Sequence, residues 1–229
     1  MSQHRLVGQR AITRWSVTAW LIFANIVFFI FSLILEAIYG DQSLNYIALN
    51  PQNILHGEYL WTLVTHMFVH ASFLHIFVNM IALYSLGSFC EKIIGRKRYF
   101  WFYMISGVLA GLLAVIMAGL FGYGFWQNIF GSPDTYMVGA SGAIFAVAGI
   151  FVTLLPKMRF SIIFFPFFSL PGYIIIPLVL ILTWLASLAA SLPIGNVAHL
   201  GGLLVGVFYG YYLRVKYRNK IRVLERMIQ

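Results

Sequence analysis

Three short stretches of polar and small residues interrupt the apolar segments of this sequence. They contain the groups His66, His70, His75 and Asn79; the run Gly139-Ala140-Ser141-Gly142; and Ala198-His199. Polar side chains inside a membrane are costly, so each stretch is a candidate functional site. A serine hydroxyl is a weak nucleophile and needs a base within hydrogen-bond reach, which His199 can supply to Ser141.

A second set of groups is suited to stabilise a negative charge beside that pair. Ser141 is predicted at the N-terminus of a helix, where unpaired backbone N–H groups suit an oxyanion. His75 and Asn79 are four residues apart, share one helix face and can both donate hydrogen bonds. No carboxylate is expected within the membrane to orient His199, so the pattern predicts a Ser-His dyad rather than a triad.

The composition places these groups in a membrane protein. The chain has 229 residues, of which 61% are hydrophobic and 9% charged, whereas a soluble domain carries roughly 25% charged residues. A spanning helix needs about 20 mainly apolar residues. We predict six spans, at residues 15–38, 72–90, 100–120, 141–155, 173–191 and 197–213. Pro156, Pro166 and Pro171 indicate that the intervening segment is a connector rather than a helix.

The predicted fold class is therefore an all-α bundle of six transmembrane helices. Residues 1–14 form a basic N-terminus, 15–213 the membrane domain and 214–229 a basic tail. All 15 Lys and Arg residues fall on the side that holds both termini, and the positive-inside rule places that side in the cytoplasm. For the tail, anchoring on anionic lipid headgroups is favoured over binding of nucleic acid.

This topology places the polar stretches at one depth. The second, fourth and sixth spans run inward from the outer face, so His75, Asn79, Ser141 and His199 all lie in the outer part of the bilayer. Small residues recur on one face of the fourth and sixth spans, at Gly142, Ala146, Gly149, Ala198, Gly202, Gly206 and Gly210. Such faces allow close helix packing. Phe145, one turn below Ser141, is expected to stack on the imidazole of His199.

The three motifs, in this order, resemble those of the rhomboid intramembrane serine proteases over residues 61–210. The resemblance implies that Ser141 is the nucleophile and His199 the base. It further implies an oxyanion hole made by His75, Asn79 and the backbone N–H of Ser141, and a family position at Glu91 and Gly95. The chain departs from some members at Phe145, where they carry tyrosine.

The same resemblance implies what the protein acts on. The family cleaves transmembrane segments of other proteins near the outer face and uses neither metal nor cofactor. This chain looks like the minimal six-helix prokaryotic form, and we expect it in a prokaryotic plasma (inner) membrane. The motifs give no indication of the individual substrate or of the oligomeric state.

The fifth predicted span is expected to gate entry of the substrate. It is bulky and branched in its first half, which keeps neighbouring backbones apart and permits motion. It ends at a turn of Pro193, Ile194 and Gly195, where glycine can absorb a change of backbone angle. Together with the family resemblance, this pattern predicts lateral entry of a membrane-embedded substrate past this helix.

Two other functions remain open from the residues alone. One is a proton or metal transporter that uses the intramembrane histidines, and the other is a catalytically inactive relative that binds membrane proteins. His66 and His70 have a spacing that would suit a metal on a helix, but carboxylates and an HExxH pattern are missing. We predict structural or water-retaining roles for both.

Overall fold

A computed structural model of the protein describes residues 15–162, 165–190 and 195–228. The predicted basic N-terminus at residues 1–14, and Pro193 and Ile194 of the predicted turn, lie outside the described residues. The helices are α1 (Val17–Tyr39), α2 (Leu44–Ile47), α3 (Pro51–Leu55), α4 (Thr62–Thr65), α5 (Phe73–Ala82), α6 (Ser88–Ile94), α7 (Arg96–Phe121), α8 (Gln127–Phe130) and α9 (Ser141–Leu154). Two strands, β1 (Arg159–Ile162) and β2 (Phe165–Pro171), precede α10 (Gly172–Ala190), α11 (Asn196–Lys216) and α12 (Arg218–Ile228).

The start of α1 is fixed by a carboxylate from another helix. The side chain of Glu91, in α6, accepts hydrogen bonds from the backbone N–H of Val17 at 2.9 Å and from Thr18 N–H at 2.9 Å. The Thr18 hydroxyl donates to it at 2.8 Å. A buried carboxylate is tolerable only when it is paired in this way. The first turn of α1, whose N–H groups would otherwise be unpaired, is thereby tied to the C-terminal end of the second span.

The second span is one continuous helix with a π-helical turn inside it. α5 passes through this turn at Leu83–Gly87 into α6, and the whole segment Phe73–Ile94 is long and apolar enough to cross a membrane. It stops at Gly95, whose φ of +86° is readily adopted only by glycine. α7 begins at the next residue, so the second and third spans are joined by a one-residue turn.

Four described helices meet the length and apolarity required of a membrane span: Val17–Ile47, Phe73–Ile94, Arg96–Phe121 and Gly172–Ala189. α9 is apolar but has only 14 residues, and α11 is less apolar, since it has Asn196 and His199 at its start and Arg214 and Lys216 at its end. The protein is thus a mostly helical, multi-pass integral membrane protein. The predicted fourth and sixth spans exist as helices, but they are shorter or more polar than the other four.

The all-α prediction is wrong in the connector between α9 and α10. β1 and β2 form a two-stranded antiparallel sheet in which Phe160 pairs with Leu170 and Ser161 with Ser169. The prolines do exclude a helix here, but the aromatic and β-branched residues between them favour strands. Both strands of a two-stranded sheet are edges, where proline is tolerated.

The small-residue faces of α9 and α11 pack directly against each other. A Cβ atom on Gly149 would lie 2.5 Å from the carbonyl oxygen of Leu203. A Cβ atom on Gly202 or Gly206 would overlap the carbonyl oxygen of a residue in α9, Gly142 or Ala146. Because each of these positions lacks a side chain, the two backbones touch, as the sequence predicted. This contact brings the N-terminal ends of α9 and α11 together.

Candidate active site

Ser141 and His199 meet at the N-terminal ends of α9 and α11. Ser141 is the first residue of α9, and His199 lies in the first turn of α11. The Nε2 atom of His199 is 2.7 Å from the Oγ atom of Ser141, a hydrogen-bond distance. His199 is buried and Ser141 half-buried. A serine hydroxyl and an imidazole in this geometry have the contact that a nucleophile and its base require.

An aromatic ring holds the imidazole of His199 in place. The rings of Phe145 and His199 stack with centroids 4.6 Å apart and planes 21° apart. Within the described residues, the Nδ1 atom of His199 has no hydrogen-bond partner. The orientation of the imidazole therefore depends on this stacking and on the bond to Ser141, with no carboxylate of the described chain bonded to it.

Because Gly139 has no side chain, the imidazole of His75 lies close to the backbone just before Ser141. Its φ is +119°, and a Cβ atom there would lie 2.8 Å from the Nε2 atom of His75 and 3.7 Å from Ser141 Oγ. Any residue other than glycine would thus be strained and would push the imidazole away. The Nε2 atom of His75 and the hydroxyl oxygen of Ser141 therefore both border the space that a side chain at residue 139 would fill.

The tautomer of His75 can be inferred from its other nitrogen. The backbone N–H of Ala71 donates to Nδ1 of His75 at 3.4 Å. A nitrogen that accepts a hydrogen bond carries no proton, so in the neutral imidazole the proton is on Nε2. The Nε2–H group therefore points as a donor toward the space beside Ser141.

Asn79 lies one turn further along α5 and is buried. Its Nδ2 atom donates to the carbonyl oxygen of His75 at 2.9 Å. One of its two N–H groups is thus used within its own helix, and the other remains to serve a bound group. Asn79 also lines a cavity of about 1100 Å³ that is bordered by His75, Ser141 and His199.

His66 has a structural position. Its Nδ1 atom lies 2.8 Å from the carbonyl oxygen of Thr62, and its own carbonyl oxygen accepts from Gly139 N–H at 2.9 Å. Burial lowers the pKa of His66 to about 4, so the ring is neutral at ordinary pH. Through its backbone, His66 holds Gly139, the residue that places His75 beside Ser141.

His70 is buried against His75. The two rings meet edge to face with centroids 5.0 Å apart. Neither ring nitrogen of His70 has a hydrogen-bond partner among the described residues. Burial lowers the pKa of His70 to about 3. In the part of the chain that the structure describes, no group of three or more His, Cys, Asp or Glu side chains could hold a metal ion.

The segment before α4 supports the site, a role that no motif in the sequence indicated. The backbones of Leu49 and Met137 exchange hydrogen bonds at 3.0 and 2.7 Å. Asn50 caps α3 and its Nδ2 donates to the carbonyl oxygen of Asp134 at 3.3 Å. These bonds fix the loop that leads to Ser141. The Asn50-Pro51 pair is a recognisable start of a helix in the sequence. Its hydrogen-bond partner Asp134, 84 residues away, could not be predicted from any local pattern.

The rhomboid-domain family profile matches residues 57–216 of the chain. The chain is 31% identical over 155 residues to rhomboid protein 1, mitochondrial, of Saccharomyces cerevisiae, covering 66% of this chain and 41% of the yeast protein. It is 28% identical over 153 residues to rhomboid protease GlpG of Haemophilus influenzae, covering 66% and 69%. It is 28% identical over 207 residues to presenilin-associated rhomboid-like protein, mitochondrial, of Bos taurus, covering 90% and 49%. The chain thus spans less than half of the yeast and bovine relatives.

Proposed function

The chain belongs to the rhomboid family, and on that premise we propose that it is an intramembrane serine endopeptidase that cleaves transmembrane segments of other membrane proteins. The observation that carries the proposal is the 2.7 Å contact between Ser141 Oγ and His199 Nε2. One relative, from Haemophilus influenzae, is named a rhomboid protease. An inactive binding protein would have no need of this contact, or of a glycine at residue 139.

In the proposed reaction, Ser141 Oγ attacks the scissile carbonyl carbon while His199 Nε2 takes the hydroxyl proton. The C–N bond then breaks, and His199 returns the proton to the leaving amine. A water molecule, deprotonated by His199, hydrolyses the acyl-enzyme and regenerates the serine. Each step needs only the one base that is in contact with Ser141.

The negative charge of the tetrahedral intermediate is proposed to fall at the point that His75 and Ser141 flank. The Nε2–H of His75, the backbone N–H of Ser141 and the free N–H of Asn79 are the donors. Preorganised donors of this kind stabilise the transition state more than the ground state. Their arrangement depends on Gly139, whose left-handed backbone no other residue adopts easily.

The depth of Ser141 favours a substrate that comes from the membrane. α9 has 14 residues, so at about 1.5 Å per residue it is roughly 21 Å long, whereas the hydrocarbon core is about 30 Å thick. With its inner end near the cytoplasmic interface, the helix leaves Ser141 well below the outer surface. A transmembrane segment is already at that depth.

The cavity supplies a lateral path to Ser141. It runs between the second span and α10, and is lined there by Ile81, Ser85, Ile176, Val179 and Thr183. We propose that α10 moves outward to admit the substrate, just as lids and loops open and close over the sites of other enzymes. We further propose that the basic side faces the cytoplasm of a prokaryote, with residues 15–213 as the protease domain and 214–229 as a tail.

Labelling with a fluorophosphonate tests the nucleophile. Wild type should be labelled and should cleave a transmembrane substrate in vesicles, whereas Ser141→Ala and His199→Ala should do neither while remaining folded. Ser106→Ala is the matched control, because Ser106 is a buried serine of α7 that donates within its own helix at 3.1 Å. Label on Ser141→Ala, or full activity in either site variant, would overturn the proposal.

Crosslinking tests the path. A pair of cysteines would join α5 to α10 across the cavity, after replacement of Cys90. Closing the crosslink should stop cleavage of a membrane-embedded substrate but leave fluorophosphonate labelling intact. Unchanged cleavage under full crosslinking would refute lateral entry at this gap while leaving the Ser-His chemistry untouched.

A further inference from the structure

Three cations surround one aromatic ring where α11 meets α12. The guanidinium carbon of Arg98 is 5.5 Å from the ring centroid of Tyr217. The Nζ atoms of Lys216 and Lys220 are 5.8 and 6.0 Å from the same centroid. Arg98 belongs to α7 and the lysines flank the α11–α12 junction, so distant parts of the chain build this group. We call it the Tyr217 cluster.

The charge of the Tyr217 cluster is not neutralised within the described chain. The sequence has six acidic residues, and all of them are described. Two of them form ion pairs, Glu91 with Arg96 at 3.5 Å and Glu225 with Arg214 at 2.8 Å. Neither pair includes a member of the cluster. Three like charges, each within about 6 Å of one ring centroid, repel one another, and an anion bound among them would relieve that repulsion.

α12 is held in a fixed orientation beside this cluster. Arg214 donates to the carbonyl oxygen of Thr153, at the inner end of α9, at 2.5 Å, and to Glu225 of α12 at 2.8 Å. Ile221 is buried and Leu224 is half-buried against the helical core. One face of α12 is therefore occupied, and the opposite side is presented outward.

The outward side of α12 combines apolar and cationic groups. Val223 and Met227 are four residues apart, and 57% and 73% of their surfaces are exposed. Arg222 and Arg226, both exposed, lie next to them along the helix. Apolar side chains flanked by arginines are typical of helices that lie in the headgroup region of a membrane.

We propose that the Tyr217 cluster and the outward side of α12 form a binding surface for anionic phospholipids. The lipid phosphate would lie among Arg98, Lys216 and Lys220, and Val223 and Met227 would contact the upper part of the acyl chains. Lys216 ends a helix of a membrane domain, so the cluster lies where headgroups are. Nucleic acid would use the cations but would leave Val223 and Met227 without an apolar partner.

Native mass spectrometry of the full chain, delipidated in detergent, tests the surface. Phosphatidylglycerol would be titrated and compared with phosphatidylcholine. Arg98→Gln/Lys216→Gln/Lys220→Gln removes the cluster, and Lys92→Gln/Lys97→Gln/Lys157→Gln removes the same charge from sites elsewhere on the basic side. Each cation near an anionic surface strengthens binding by about fivefold, so the cluster variant should bind phosphatidylglycerol about 100-fold more weakly. The control variant should resemble wild type.

A second measurement does not depend on the triple variant and keeps all of the cations. A nitroxide on Met227→Cys, with Cys90 replaced, should move deeper in vesicles that contain phosphatidylglycerol than in pure phosphatidylcholine. Equal affinity for the two lipids, equal loss in both triple variants, or an unchanged label depth would each overturn the proposal. So would tight binding of a short DNA duplex that requires the cluster while phosphatidylglycerol does not bind.

Discussion

A methyl group added at Gly202 should separate the nucleophile from its base. An alanine at residue 202 would place its Cβ 2.9 Å from the carbonyl carbon of Gly142 and would overlap the attached oxygen. Carbon atoms pack at about 3.5–4.0 Å, and the oxygen is closer still, so α9 and α11 must part by about 1 Å or more at this level. Gly142 directly follows Ser141, and residue 202 is one turn from His199, so the displacement acts on the 2.7 Å contact itself.

The expected loss is large for one methyl group. A misplacement of about 1 Å costs roughly 100-fold in rate, which is about 2.7 kcal/mol of activation free energy. Overpacking also destabilises a folded core by about 1–3 kcal/mol. We therefore expect Gly202→Ala to lower kcat about 100-fold and to reduce thermal stability, without abolishing folding.

The assay compares two glycines of the same region. The rate of fluorophosphonate labelling reports the reactivity of Ser141, cleavage of a transmembrane substrate reports turnover, and thermal unfolding reports packing. Gly195→Ala is the control for labelling and thermal unfolding, because its Cβ would meet Ala198 Cβ at an ordinary 3.8 Å. A Gly202→Ala protein with wild-type labelling and wild-type stability would show that the α9–α11 contact does not set the dyad geometry.

Four further outcomes are expected. Asn79→Ala should lower kcat less than Ser141→Ala, and by less than the about 10²–10³ of a lone oxyanion donor, since His75 remains; unchanged turnover would remove Asn79 from the oxyanion hole. Glu91→Gln should lower the free energy of unfolding by about 2 kcal/mol, because hydrogen bonds to a charged group are lost; equal unfolding curves would contradict this. The pKa of His66 is lowered from 6.5 to about 4, so the unfolded state takes up a proton first and up to about 3 kcal/mol of stability should be lost as pH falls through this range. His66→Gln should remove this part of the pH dependence and leave the part due to His70, whose pKa burial also lowers. EDTA should leave proteolysis unchanged, and zinc-restored activity would revive a metal role for His66 and His70.

Some contacts of the site could be predicted from the sequence because a helix has a fixed number of residues per turn. Residues one turn apart share a face, so His75 and Asn79 had to lie together on α5, and the glycines of α9 and α11 had to form stripes. Phe145 was expected to stack on His199 for the same reason, and the rings do stack. The catalytic roles of Ser141 and His199 themselves stay a proposal.

Other features escaped the sequence because they join segments with no common period. The two strands were missed, since proline excludes a helix without specifying what replaces it. The Glu91 cap of α1 and the bond between Gly139 and the His66 carbonyl link residues more than 70 positions apart. No local pattern encodes such pairs.

The sequence by itself determined that this is a polytopic membrane protein, since a chain with 9% charged residues has too few polar groups to cover a soluble surface. It also identified the polar groups whose burial in a membrane is costly and which are therefore candidates for a functional role. Only the tertiary structure decided that Ser141 and His199 touch, because their contact depends on how closely α9 and α11 approach. The distance between the two helices is set by the direct contact of their backbones at Gly142 and Gly202, where neither residue has a side chain.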